Sequence, residues 1–193
     1  MPGQLVEFTS NGSTARELLT TGLSRRELLC RAGVVLGAAL IPLRRARAGK
    51  EFELPEATRE ALAASRYVYI SPLHPDGKES RCHGEVWYFY DEGDVVIGTG
   101  PDRWKTRAVD RGWDEARIWV GDYGRVKKAG DRFRKGPSFR ARARRERDPA
   151  VFERLMTVFG EKYSDEWGKW EPRFRRGYED GTRVLIRYQP IGS

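Results

Sequence analysis

The sequence predicts a mainly β, α+β domain in which short antiparallel strands build a small barrel with flanking helices. Short segments rich in aromatic and β-branched residues recur along the chain. Two of the gaps between them have the composition of tight hairpin turns, and only a few segments show helical spacing of apolar residues. Such a series of short strands, without an internal repeat, is typical of a small antiparallel barrel.

The size and composition suit one folded domain with an appendage. The chain has 193 residues, and six Trp, eight Tyr and eight Phe supply enough apolar surface for a core. Two cysteines and two histidines are too few for a disulfide scaffold, a four-cysteine zinc site or a three-histidine metal site. We therefore expect no metal centre held by protein ligands alone.

Residues 1–48 have the layout of an export signal. A Ser-Arg-Arg-Glu-Leu-Leu run at 24–29 resembles a twin-arginine signal, an apolar stretch covers 32–43, and Ala-Arg-Ala at 46–48 suits a signal peptidase. Twelve apolar residues make only about 18 Å of helix, too short for a stable membrane span. An amphipathic helix is the alternative, but the apolar stretch lacks a polar face. We interpret 1–48 as a leader and 49–193 as the folded domain.

This leader changes two expectations for the rest of the chain. It holds seven Arg and three Glu, which leaves 29 basic and 25 acidic residues in 49–193. Half of the net charge of +8 thus lies in the leader, so we expect no nucleic-acid partner. The twin-arginine export machinery carries folded proteins, often with a cofactor already bound. We therefore expect a periplasmic or secreted protein that holds an organic cofactor.

The first half of the domain predicts one helix and three strands joined by two hairpin turns. Pro55 near the start, followed by acidic residues and then Ala and Leu, is typical of a helix. Gly77 and Gly93 supply the positive φ that the turns require. The predicted bounds are 54–63 for the helix, 67–71, 80–90 and 95–99 for the strands, and 74–78 and 91–94 for the turns.

The second half predicts two helices and four strands. Phe139, Ala141 and Ala143 alternate with arginines, which predicts a strand with one charged face. Asp148-Pro149 begins the second helix, whose apolar residues recur at helical spacing. The predicted helices cover 101–111 and 149–163, the strands cover 117–121, 125–127, 139–144 and 183–188, and an aromatic-rich segment with Trp167, Trp170 and Phe174 precedes the last strand.

The order of these motifs resembles the split β-barrel superfamily of pyridoxamine-phosphate-oxidase-like proteins. The motifs are the Pro-Asp-Gly turn at 75–77, Glu-Val-Trp-Tyr-Phe at 85–89, Ile-Gly-Thr-Gly at 97–100, the helix that contains Lys105, and Asp-Pro at 148–149. The resemblance spans about residues 54–190 and implies a split β-barrel that binds FMN, or alternatively F420 or haem. It also implies a homodimer, because these proteins usually hold the cofactor between two subunits.

The resemblance further implies a cofactor site. Thr99 and Lys105 match the positions that most often contact the cofactor phosphate, and Arg103 lies between them. Glu85 and Trp87 match the strand that commonly flanks the ring, shortly after a further arginine. The candidate cofactor-binding residues are therefore Arg81, Glu85, Trp87, Thr99, Arg103 and Lys105.

The residue types near Thr99 suit a phosphate for reasons of their own. Thr99 precedes a predicted helix start that holds Arg103, Lys105 and Arg107, so a hydroxyl, backbone amides and cations converge there. The alternative is a surface helix whose Arg and Lys side chains are simply solvated. The sequence leaves both interpretations open.

The implied function is an exported flavin- or deazaflavin-dependent oxidoreductase that transfers hydride to or from a small organic substrate. The cofactor performs most of this chemistry, and no catalytic side chain stands out. The serines have no His-Asp pairing evident in the sequence, so a hydrolase is disfavoured. His83 is a proton donor, a haem ligand or the partner of a neighbouring polar group, and Cys82 is expected to be packed. Trp167 and Trp170 are expected in the core or a dimer contact, or over a bound ring.

Two other functions stay open from the sequence. One is a non-catalytic exported module that carries a flavin or haem. The other is a polyanion-binding protein that uses the arginines of the Arg140–Arg147 strand. Alternation with apolar residues favours an ordinary solvated face on that strand, and Glu146 and Asp148 dilute its charge.

Overall fold

A computed structural model of the chain describes residues 52–192. Within them, seven antiparallel strands and five α-helices form an α+β half-barrel, which confirms the predicted fold class. The predicted leader at 1–48 lies outside the described residues. No helix within 52–192 is long and apolar enough to cross a membrane.

The elements follow one another along the chain with short connections. The helices are α1 (Glu56–Ala64), α2 (Trp104–Asp110), α3 (Val126–Ala129), α4 (Pro149–Lys162) and α5 (Ser164–Glu179). The strands are β1 (Val68–Pro72), β2 (Gly84–Val86), β3 (Phe89–Asp91), β4 (Asp94–Thr99), β5 (Glu115–Val120), β6 (Ser138–Glu146) and β7 (Val184–Ile191). A 3-10 turn covers Arg132–Lys135.

The strand order requires the sheet to curl. The order is β2-β1-β5-β6-β7-β4-β3, so β2 and β3 lie at opposite edges. Only Trp87 and Tyr88 separate these two strands along the chain. Three residue steps span at most about 11 Å, whereas seven flat strands would place their edges about 29 Å apart. The sheet therefore curls until its edges approach, and Trp87 and Tyr88 lie at the seam between them.

The curled sheet carries apolar residues on both faces, as the two-residue period of a strand allows. On β4, Val95 and Ile97 belong to the interior cluster, whereas Val96 packs with the helices. The interior cluster also contains Val68, Ile70, Tyr88, Ile118, Val120, Ala141, Ile186 and Tyr188. The outer cluster contains Phe152, Leu155 and Phe159 of α4 and Phe174 of α5. The sheet is thus filled on one side and covered by α4 and α5 on the other.

Local signals in the sequence are confirmed at both hairpin turns and at the start of α4. Gly77 has a φ of 79° in the turn before β2, and Glu92 and Gly93 have φ values of 51° and 90° between β3 and β4. The Asp148 side chain accepts a hydrogen bond from the Ala150 amide at 2.9 Å, which caps α4.

Two strand predictions need correction. The strand expected over 80–90 is divided into β2 and β3, because the chain leaves one edge of the sheet at Val86 and joins the other at Phe89. The short strand expected over 125–127 is wrong, since these residues form the start of α3. Gly124 and Gly130 flank that helix with φ values of 77° and 56°, which turn the chain away from an extended course.

The aromatic-rich segment before β7 is helix α5, which the sequence analysis did not predict. Its apolar residues Trp167, Trp170, Phe174 and Tyr178 are three and four positions apart and pack against α4. Pro172 lies inside the helix, and the segment is otherwise strongly polar. The proline and the polar composition make the helical pattern difficult to recognise in the sequence. Packing against α4 stabilises the helix.

A buried ionic cluster ties β7 to the β3–β4 hairpin. Arg187 of β7, only 4% exposed, lies 2.6 Å from both Asp91 and Glu146 and 3.3 Å from Asp94. Arg154 of α4 contacts Asp91 at 2.8 Å. Buried charges require such partners, so this cluster holds β7 in register beside β4.

Candidate functional site

Two pockets adjoin where β4 ends. The first, the cation pocket, has a volume of about 430 Å³ and is lined by Cys82, Gly98, Thr99, Gly100, Asp102, Arg103, Trp104, Lys105, Thr182 and Arg183. The second, the aromatic pocket, has a volume of about 400 Å³ and is lined by Tyr67, Glu85, Val86, Trp87, Gly98, Arg125, Glu166, Trp170, Phe174 and Arg183. Gly98 and Arg183 line both pockets, so the two cavities adjoin at these residues.

Strand pairing builds the junction between the pockets. In the β4–β7 ladder, Gly98 lies opposite Leu185 and Thr99 opposite Val184, which places Arg183 beside the end of β4. Gly98 also lets α5 approach, because a Cβ atom at this position would lie 2.9 Å from Cε1 of Phe174. A larger residue at 98 would displace the aromatic ring that separates the junction from the helix core.

Lys105 is the innermost cation of the cation pocket. Desolvation lowers the pKa of its ammonium group, while the proximity of Cys82 and Glu85 opposes this shift. A Cβ atom added to Gly84 of β2 would lie 3.5 Å from Lys105 Nζ, so the lysine reaches across to the edge of the sheet. Among residues 52–192, no carboxylate forms an ion pair with Lys105. Its desolvated charge is therefore available to an anion.

Arg183 is the second available cation, and it is not among the candidate residues predicted from the sequence. Its guanidinium lies 3.8 Å from the centroid of the Phe174 ring, and desolvation lowers its pKa. Nη1 lies 3.5 Å from the Gly98 carbonyl oxygen, and the buried Nε has no acceptor within the described part of the chain. The position at the start of a predicted strand gave little sign of this role. The preceding Asp-Gly-Thr turn at 180–182 was the one local hint that this arginine sits at a strand end.

The other arginines of this region are less available. Arg103 lines the cation pocket but is 73% exposed in its side chain and lies 3.7 Å from Asp102. Arg107 is exposed and does not line the pocket. Helix α2 begins at Trp104 and has only seven residues, so the backbone amides at its start contribute little to anion binding. The anion-binding character therefore rests on side chains, chiefly Lys105 and Arg183.

The aromatic pocket has a rigid wall. Trp87 stacks on Tyr163 at 4.2 Å with an interplanar angle of 5°, and its ring meets the edges of Phe159 and Trp170 at 5.9 Å and 6.1 Å. Glu85 accepts a hydrogen bond from the Val126 amide at 3.0 Å, which holds its carboxylate at the pocket. The seam of the barrel thus presents a fixed indole and a fixed carboxylate to the same cavity.

The structure brings five of the six candidate residues to this region. Thr99, Arg103 and Lys105 line the cation pocket, and Glu85 and Trp87 line the aromatic pocket. The sixth candidate, Arg81, is exposed and lines neither pocket.

Four further residues named from the sequence differ in whether they line a pocket. Cys82 is exposed at the cation pocket, so the expectation that its thiol is packed is wrong. His83 lies 5.5 Å from the Phe133 ring and lines neither pocket. Trp170 lines the aromatic pocket, whereas Trp167 packs against Phe174 in the helix core. Within the described residues, no cluster of three His, Cys, Asp or Glu side chains could hold a metal ion.

The arginines of β6, which the sequence placed on the Arg140–Arg147 strand, form ion pairs on the solvated face of that strand. Its apolar residues are buried in strict alternation, as expected. Arg140 pairs with Glu115, Arg142 lies 3.7 Å from Asp114, Arg144 lies 3.5 Å from Glu146, and Arg145 lies 3.3 Å from Asp110. Because these four cations already have acidic partners, the strand offers little free charge to a polyanion.

The chain is similar to several solved structures. A conserved hypothetical protein from Mycobacterium tuberculosis is 18% identical, with 72% of this chain and 82% of that chain covered and a TM-score of 0.48. HutZ, the haem storage protein from Vibrio cholerae, is 14% identical, with 74% and 93% covered and a TM-score of 0.49. A FAD-binding protein from Mesorhizobium loti is 15% identical, with 72% and 91% covered and a TM-score of 0.44. No family model matches the chain, and no curated protein matches it.

Proposed function

We propose that residues 52–192 bind a phosphate-bearing flavin or deazaflavin, FMN or F420, and that the protein is an oxidoreductase acting on a small organic substrate. The phosphate would occupy the cation pocket and the ring the aromatic pocket. The observation that supports this most is that the two pockets adjoin at Gly98 and Arg183. A ligand with an anionic end and a planar aromatic end matches that arrangement.

The charges of the cation pocket fit a phosphate. Lys105 and Arg183 are desolvated and have no carboxylate partner among the described residues. A phosphate would supply acceptors to both cations, and Thr99 lines the same cavity. Each pocket has a volume within the range of about 300–1,000 Å³ that small-molecule sites usually have.

The walls of the aromatic pocket fit a ring. Trp87 and Trp170 offer apolar surface, and Glu85 offers a fixed hydrogen-bond acceptor for a ring N–H group. His83 is absent from both linings, so a haem held by this histidine is disfavoured. The resemblance of the sequence motifs to the split-barrel superfamily agrees with FMN or F420.

The bound cofactor would supply hydride transfer to or from the substrate. The chain itself would bind and orient the two reactants. Lys105 and Arg183 would fix the anionic end, and Trp87, immobilised by Tyr163, would fix the plane of the ring. Trp170 and Phe174 of α5 would limit the access of water to the ring. We assign no acid or base to a side chain.

The same proposal includes export by the twin-arginine route, a periplasmic or secreted location, and a homodimer. Export rests on the residue pattern at 24–48, and the homodimer rests on the sequence resemblance alone. A fusion of residues 1–48 to a reporter protein, with both paired arginines changed to lysine as the control, would test the route.

The absorption spectrum of the purified full-length protein tests cofactor binding. Titration of the cofactor-free protein with FMN and with F420, followed by quenching of ligand fluorescence, then gives the dissociation constants. We expect Lys105→Met and Arg183→Met each to weaken binding about tenfold or more, because each removes a charged hydrogen-bond donor. Arg103→Met should have a smaller effect, since Arg103 is exposed and faces Asp102.

Matched controls remove one charge elsewhere. Lys128→Met on α3 and Arg144→Met on β6 change exposed residues that line neither pocket, so both variants should bind like the unchanged protein. A protein that binds neither cofactor, or one whose affinity is the same in all five variants, would overturn the proposed function.

A further inference from the structure

An exposed thiol lies at the cation pocket. Cys82 lines this pocket together with Thr99, Lys105 and Arg183, and its side chain is accessible to solvent. It is not part of a disulfide within the described residues. The proposed cofactor site gives this thiol no role, and its exposure beside desolvated cations is unlike a packed structural cysteine.

The cations around Cys82 are an independent sign that an anion binds there. Lys105 and Arg183 line the cation pocket together with Cys82, and the buried Nε of Arg183 has no acceptor among the described residues. Lys105 has no acidic partner among residues 52–192, and neither has Arg183. A small disulfide that bears carboxylates would therefore be attracted to the place where the thiol is exposed.

We propose that Cys82 is a modification site that captures the oxidised form of a small acidic thiol as a mixed disulfide in the cation pocket. The Cys82 thiolate would attack one sulfur of the small disulfide, a new S–S bond would form at Cys82, and the other half would leave as a thiolate. The electrons balance: the small disulfide is the oxidant of Cys82, and the electron pair of its broken S–S bond leaves with the released thiolate. A second acidic thiol reverses the step by attacking the mixed disulfide.

The modification would control anion binding. The carboxylates of the captured thiol would meet Lys105, Arg103 and Arg183, and the adduct would fill the space available to a phosphate. This inference depends on the cation pocket alone and not on what the aromatic pocket binds. It adds redox control to a site whose other proposed role is to hold a phosphate.

The test compares two reagents on full-length protein with Cys30→Ser, so that Cys82 is the one thiol present. One reagent is dithiobis-nitrobenzoate, a disulfide with two carboxylates, and the other is the uncharged disulfide dithiodipyridine. Each rate of thiol modification is divided by the rate for free cysteine under the same conditions. We expect the anionic reagent to be favoured about tenfold by this ratio. Inorganic phosphate at high concentration should remove the preference, because it competes for the same cations.

Variants separate the local cations from the overall charge. Lys105→Met should reduce the preference for the anionic reagent to near unity, whereas Lys128→Met, with the same change in net charge, should retain it. Folding of Lys105→Met is expected, because the change removes a desolvated charge. Equal normalised rates for the two reagents, or a preference that survives both phosphate and Lys105→Met, would overturn the proposal.

Discussion

At the scale of single residues, the site depends on which cations have acidic partners. Arg187 is surrounded by three carboxylates and serves the fold, whereas Lys105 and Arg183 have no such partners within the described chain. Both free cations are desolvated, so an anionic ligand would gain from strong, weakly screened interactions. Residue type alone does not separate these arginines and lysines, because all carry the same charge in the sequence.

The lowered pKa of Lys105 predicts how binding depends on pH. A bound phosphate stabilises the protonated ammonium, so binding is strongest at pH values below the lowered pKa and weakens as the pH rises through it. We expect the affinity for FMN to fall as the pH rises from neutral towards the ordinary lysine value of 10.5, a range in which a phosphate monoester is already a dianion. Calorimetric titration at several pH values measures this.

The control for this prediction is Lys105→Met, which should bind FMN more weakly and with little dependence on pH over the same range. If the variant keeps the pH profile of the unchanged protein, then Lys105 is not the group whose protonated form the bound ligand stabilises.

At the scale of elements, the ladder between β4 and β7 and the packing of α5 build the site. The ladder places Arg183 beside Gly98, and α5 supplies Trp170 and Phe174. Helix α4 contributes less directly: Tyr163, the residue that follows its C-terminal end, stacks on Trp87 and fixes the aromatic wall. A change at the end of α4 therefore affects both stability and the pocket.

Lys162, the last residue of α4, predicts a pH-dependent stability. Its ammonium lies 3.5 Å from the centroid of the Tyr88 ring, and desolvation lowers its pKa to about 8. Between about pH 8 and the ordinary value of 10.5, the unfolded chain binds more protons here than the folded one, so the free energy of unfolding rises with pH. Relative to Lys162→Met, the unchanged protein should gain stability from pH 8 to 9.5.

Urea unfolding of both proteins at several pH values measures that gain. The Lys162→Met variant serves as the reference for the unchanged protein, because the other groups that titrate in this range are common to the two proteins. A difference in unfolding free energy that stays constant from pH 7 to 9.5 would show that Lys162 is not desolvated in solution.

At the scale of the whole molecule, the closure of the sheet and the ionic cluster hold the parts of the site together. Trp87 and Tyr88 cross the seam between the two edges of the sheet, and Tyr88 is completely buried. Arg187 joins the β3–β4 hairpin to β6 and β7 through Asp91, Asp94 and Glu146. The position of Arg183, four residues before Arg187 on the chain, therefore depends on contacts formed across the molecule.

Arg187→Met should destabilise the domain by about 3–5 kcal/mol at pH 7, because it removes a buried cation that contacts the carboxylates of Asp91, Asp94 and Glu146. Burial raises the pKa of Asp91 and of Glu146, but hydrogen bonds from Arg154 and Arg187 to Asp91, and from Arg187 to Glu146, leave both pKa values lowered. These carboxylates thus stabilise the unchanged protein at neutral pH and lose that contribution as the pH falls. In the variant, Asp91 and Glu146 would be protonated at a higher pH than in the unchanged protein. The difference in the free energy of unfolding between the two proteins should therefore become smaller towards pH 5.

Urea midpoints at pH 7 and 5 measure both effects. Arg142→Met is the matched control, because its guanidinium is 60% exposed and such surface ion pairs contribute about 1 kcal/mol or less. Equal stability losses in the two variants would mean that the cluster does not depend on Arg187.

The local features were predictable from the order of residues: most strand and helix positions, both hairpin turns, the cap of α4, and five of the six candidate residues that reach the two pockets. These follow from interactions within a few residues, which the order of side chains specifies directly. Local sequence does not specify that the 80–90 segment contributes to both edges of the sheet, that 164–179 is helical, or that Arg183 lies beside Gly98, 85 positions earlier. Those outcomes depend on strand register, sheet closure and packing between distant segments, and the same contacts decide which cations are paired and which are free.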